Sequence, residues 1–165
     1  MSFLIFLISF NAFGQNLTLK KINKEVNRIQ TDSTLTITVL NALDKSKETL
    51  DGGYVLKVWH QQHDIVKIVA EMGLSYGRVK TTLYLKNNVP MKIIEIEENF
   101  SQTSNGLNYH NLNKVYETTH YILNWKQNKS ITKTKGKRRF SVPKKSVHDY
   151  NTLVEKVQRA IGKPQ

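Results

Sequence analysis

Two imidazoles and a carboxylate stand within five residues at His60-Gln61-Gln62-His63-Asp64. Nitrogen and oxygen donors of that kind suit zinc or another transition metal. A working centre would need a further ligand from elsewhere in the chain and partners that orient the rings. A second group is Glu95, Glu97 and Glu98. On an extended strand Glu95 and Glu97 share a face, and like charges that close raise a carboxyl pKa, which general acid–base work requires. The alternative for these acids is the exposed end of a strand. His120 and Glu117 are offset by three, so on a strand they point to opposite faces and make no dyad. There is no G-x-S-x-G elbow, no glycine-rich phosphate loop and no cysteine. Thiolate nucleophiles, disulfides and cysteine-held metals are therefore excluded. The residues point to a non-enzymatic protein without a cofactor. A metal-dependent, hydrolase-like enzyme built on His60, His63, Asp64 and Glu95–Glu98 is the alternative.

Charge singles out another region. The 165 residues carry 25 Lys+Arg against 13 Asp+Glu, a formal net charge of +12. Between Lys126 and Lys145 there are nine basic residues and no acid, so three quarters of the excess sits in twenty positions. Such a run reads as a surface for an acidic partner, an anionic envelope component or nucleic acid. Lys133, Lys135, Lys137, Arg138 and Arg139 are the candidate contacts. Lysine outnumbers arginine 20 to 5, which tells against base readout and bidentate phosphate clamping, both arginine work. Low-specificity nucleic-acid binding through Lys126–Lys145 is kept as an alternative. The bland reading of the run is a solvated basic hairpin.

These residues must be held by something, and the periodicity says by what. Leu19, Ile22, Val26 and Ile29 recur at steps of three and four, predicting a helix over 17–30. TLTITVL alternates apolar and threonine positions, a half-buried strand over 34–40. Residues 41–50 read as a helical turn or a loop, and Asp51-Gly52-Gly53 as a turn. Strands follow at 54–60, 65–71, 78–86, 91–100, 113–125 and 130–135, with loops expected at 72–77 and 101–108. Three of the turns share a device: an apolar residue, a basic or imidazole residue, then two amides, at Trp59–Gln62, Leu85–Asn88 and Trp125–Asn128. Asn87-Asn88 accepts positive φ and suits a tight hairpin. A closing helix runs from Ser146, its cap, through Val147, Tyr150, Val154, Val157 and Ile161, and stops at Gly162 and Pro164. Connections this short make the strands antiparallel neighbours. The fold class expected is α+β: a curved antiparallel meander of about seven strands with an amino-terminal and a carboxyl-terminal helix packed on it.

Tyr54, Trp59, Tyr84, Tyr116, Tyr121 and Trp125 fall on these strands. Interleaved with lysine they could stack bases or sugars; as strand residues they more often fill or edge a sheet core.

The first fourteen residues carry no charged side chain, and Phe3–Phe10 is a short apolar core. About twenty apolar residues would be needed to span a membrane. Ala12-Phe13-Gly14 follows with small residues at alternate positions, as a signal peptidase site has. The expected organisation is a signal peptide over 1–14, cleaved after Gly14, and a single domain over 15–165 with no membrane span. The expected location is secreted or periplasmic. In its order of signal, amphipathic helix, Gly-Gly before a strand, Tyr-bearing meander with Asn/Lys turns and closing helix, the chain resembles small exported bacterial α+β proteins of unassigned function. That resemblance, one of architecture and not of motif, implies a binding module and assigns no residue a role.

Overall fold

The computed structural model describes residues 18–41, 52–139 and 147–161. The export signal over 1–14, the 41–50 segment beyond Asn41, Lys144, Lys145, the Ser146 cap and the Gly162 and Pro164 stop lie outside the described residues. The chain divides into two compact units, Met1–Ser33 and Thr34–Gln165.

The first unit contributes helix α1 (18–31). Ile22, Val26 and Ile29 form its buried stripe. Its polar side is tied locally: Arg28 donates to Glu25 at 2.9 Å and to Asp32 at 3.5 Å. Near the last turn Thr31 Oγ1 donates back to the Asn27 carbonyl at 3.0 Å.

The second unit is one seven-stranded antiparallel sheet whose spatial order equals chain order. The strands are β1 (Thr36–Asn41), β2 (Tyr54–Gln61), β3 (Asp64–Leu74), β4 (Gly77–Lys86), β5 (Val89–Thr103), β6 (Gly106–Asn124) and β7 (Lys129–Gly136). Among the described residues β1 and β7 are its open edges, and the sheet does not close into a barrel. A 3-10 turn (Val147–Tyr150) leads into helix α2 (Asn151–Ile161). The α+β class, the antiparallel meander and a helix near each end agree with the periodicity. Among the described residues no helix is long and apolar enough to cross a membrane.

Side-chain alternation and register divide the sheet into two faces. One face carries Leu56 and Val58 from β2, Ile68 from β3, Leu83 from β4 and Ile93 from β5, all fully buried. Val147, Tyr150, Val154 and Val157 pack on it, so the carboxyl-terminal helix closes this core. Each such side chain contributes about 1.5–3 kcal/mol by leaving water. The turn is also pinned at its start: His148 Nε2 bonds the Trp125 carbonyl at 2.6 Å and its ring stacks on the Trp125 indole.

The amide-rich turns work as their residue types demand. Gln62, Asn87, Asn88 and Asn128 all adopt positive φ, the conformation that suits a two-residue hairpin twist. Asn88 Oδ1 also accepts from the Ile65 amide at 2.9 Å, joining two neighbouring turns. Two expected loops are instead strand. β3 runs on to Leu74, because Gly52 and Gly73 approach so closely that a Cβ on Gly73 would stand 2.2 Å from the Gly52 carbonyl oxygen. The Gly73 amide accordingly donates to the Gly53 carbonyl at 2.9 Å. The polar 101–108 stretch is the end of a long β5–β6 hairpin that outruns β4, whose pairing stops at Gly77 opposite Asn99. Its polar residues carry no apolar alternation.

Candidate functional site

The five basic candidates separate once the chain is folded. Lys133 and Lys135 lie on β7, the open edge, and Lys137 just beyond it; all three are exposed, as is Lys129 at the start of the strand. Arg138 does something else. Its guanidinium turns onto the core face and donates to Glu95 at 2.7 Å, with side-chain exposures of 19% and 11%. The ring of Tyr116 lies 4.6 Å from its central carbon, a cation–π contact. Burial works against the arginine's charge, but the bond to Glu95 and the carboxylate's field more than offset it, raising its pKa. Arg139, though its side chain is exposed, donates its backbone N–H to Glu97 Oε1 at 3.1 Å.

Glu95 and Glu97 are thus not an exposed strand end. They sit in mid-strand on β5, 9% and 0% exposed, on the face that α2 covers. Register explains their meeting with the basic segment. Glu95 lies opposite Thr118 and Glu97 opposite Tyr116 on β6; Thr118 and Tyr116 lie opposite Thr134 and Gly136 on β7. The chain leaving β7 then bends back across these rows, its Lys137 amide donating to the Val115 carbonyl at 3.2 Å. Gly136 permits the bend: its φ is +76°, and a Cβ there would stand 2.0 Å from that same carbonyl oxygen.

Other polar groups gather around the pair. The Tyr150 hydroxyl is held far above its ordinary pKa, first by burial and then by the field of Glu95, with which it also hydrogen-bonds. Burial and Glu97 push the Tyr76 hydroxyl the same way. His120, hydrogen-bonded through Nδ1 to Thr132 at 2.8 Å, is lowered chiefly by burial. Among the described residues, Tyr76 Oη, both amide atoms of Asn99 and Arg138 Nε are buried without a hydrogen-bond partner. Chemically, the cluster is a charge-neutralising anchor: a buried carboxylate takes an arginine, a phenol and, through its neighbour, a main-chain amide.

His60, His63 and Asp64 do not converge with the glutamates. His60 is occupied on both nitrogens, by Thr38 Oγ1 at 2.9 Å and the Gln62 carbonyl at 2.8 Å, while His63 and Asp64 are exposed at the turn. Among the described residues no group of three His, Asp or Glu side chains is placed to hold a metal.

The opposite face carries a pattern that strand-by-strand reading misses. Trp59, Lys67, Tyr84, Lys92 and Tyr121 are direct neighbours across five strands, so aromatics and lysines alternate in one row. Lys67 lies over Trp59 at 4.0 Å, and Lys92 and Lys133 over Tyr121 at 5.0 and 5.8 Å. The residue types were visible in the sequence; only the register reveals the row.

A scan against protein-family models and searches of curated proteins and of solved structures find no match to this chain. Its function must be read from its own geometry.

Proposed function

We propose that this protein is a non-enzymatic binding domain that takes an acidic protein surface, or an anionic envelope component, along β7. The observation carrying this reading is the division of labour in the basic segment. Lys129, Lys133, Lys135 and Lys137 are exposed at an open sheet edge, while Arg138 is turned inward and holds the end of that edge in place. A sheet edge offers unpaired backbone N–H and C=O groups, and lysines beside it attract an extended acidic segment. Association would be charge-driven, fast and sensitive to salt. Glu95 is bound to Arg138 and Tyr150, which favours a structural over a catalytic role for the buried carboxylates.

The proposal includes export. The uncharged, apolar stretch over residues 1–14 supports it, and it places the mature start at Gln15. Mass spectrometry of the protein recovered from a bacterial periplasm or medium should give that amino terminus; an intact Met1 would refute the export half.

Binding is tested by titrating a polyglutamate peptide, and separately phosphatidylglycerol vesicles, against the protein and a Lys133→Ser/Lys135→Ser/Lys137→Ser variant. At about 0.5 kcal/mol per exposed ion pair, the variant should bind about ten-fold more weakly at low salt. Equal binding by both proteins would refute the reading. Tighter binding to duplex DNA than to either probe would move the assignment to low-specificity nucleic-acid binding.

A further inference from the structure

The two edges of the sheet differ in kind. β7 is lined with lysine, which repels a like edge and admits an acidic segment. β1, Thr-Ile-Thr-Val-Leu-Asn, has no charge, no proline and no bulge in its pairing with β2. On its outer face Ile37 and Val39 are 55% and 50% exposed, and Val55 on the adjoining strand is 40% exposed. A β-branched edge that no described strand pairs, with apolar side chains beside it, is a template for strand pairing.

We infer that β1 pairs antiparallel with β1 of a second copy about a two-fold axis through Thr38. Self-pairing is argued from the strand's own register and charge. With the axis at Thr38, residues whose numbers sum to 76 stand opposite each other, so Ile37 faces Val39 of the second copy and Thr36 faces its Leu40. The pairing is isologous and closes at two copies. Ile37 and Val39 of both copies then meet as an apolar patch, with no charged side chain on either β1 strand; Lys57, opposite Val39 on β2, borders it. Both lysine-bearing β7 edges are left at the outer ends of the joined sheet, as far from each other as the arrangement allows. The net charge of each copy opposes association, so added salt strengthens the dimer. Charge-driven partner binding at β7 responds in the opposite direction, which keeps the two proposals separable.

The chain has no cysteine, so a single introduced thiol reports cleanly. Thr38→Cys places two sulfurs across the axis, where paired Cα atoms about 4.5–5.5 Å apart are within disulfide range. Oxidation of that variant should give a covalent dimer, whereas Lys133→Cys on β7 should not. Analytical ultracentrifugation of the unaltered protein should show a dimer that rises with salt, and Val39→Lys should remove it while Val89→Lys, at the exposed start of β5, should not. A monomer at every salt concentration overturns the inference. So does crosslinking of Thr38→Cys no greater than that of Lys133→Cys. Crosslinking between a Thr38→Cys and a Lys133→Cys copy would mean head-to-tail chaining of β1 to β7, and would overturn it too.

Discussion

Arg138 makes the sharpest residue-scale case, because removing it leaves the enclosed Glu95 carboxyl group without its arginine. Arg138→Ala should cost about 3–5 kcal/mol, read as a lowered urea midpoint with the slope unchanged. The double change Glu95→Leu/Arg138→Leu should recover most of that loss, because an apolar pair needs no compensation. Asn99 behaves oppositely. Its amide is buried without a partner among the described residues, so Asn99→Leu should be neutral or stabilising; a large loss would mean that the amide is engaged. His120 gives a pH signature. Its folded pKa lies below the ordinary value near 6.5, so the unfolded chain binds the proton more readily. Stability from this group is complete above about pH 6.5 and falls as the pH drops below it. Denaturant titrations between neutral and mildly acidic pH should show the fall, and His120→Gln should lessen it. At this scale little was legible. The sequence marks Glu95 and Glu97 as sharing a face, but a buried and an exposed glutamate look alike until the chain after β7 is seen to cross them. Arg138 likewise looks like one more cation in a basic run.

Elements were read more fully, since hairpins announce themselves through local chemistry. Alternating β-branched residues set the strands, and the amides at Gln62, Asn87, Asn88 and Asn128 take the left-handed conformations that tight turns need. Where the reading stopped short, at 72–74 and 101–108, the cause was physical. One stretch is held by a glycine-to-glycine backbone contact and its glycines read as a loop, while the other is polar at the end of a long hairpin. The same glycine logic gives a prediction at β7. Gly136→Ala forces a Cβ against the Val115 carbonyl in a strained backbone conformation. It should destabilise the fold by about 1–3 kcal/mol and free the Lys137–Arg139 segment. Amide exchange at Lys137 and Arg139, now held by Val115 and Glu97, should accelerate far more than exchange in β3 or β4.

At the scale of the whole molecule, spatial order following chain order has a kinetic meaning. From β2 onward each strand finds its partner across a turn of a few residues, so closing most of the sheet demands no long loop, and such topologies fold quickly. The sheet can zip up hairpin after hairpin from β2 onward. Helix α2 is the exception: its apolar stripe joins the same core as Leu56 and Val58 from near the beginning of the sheet, so its docking comes last. Until then one whole face of the ribbon is greasy and uncovered. Stopped-flow refolding should therefore separate a fast sheet signal from a slower Trp125 fluorescence change as His148 stacks on it. A chain cut short after Gly136 should emerge as an adhesive sheet, a natural client for a holdase chaperone.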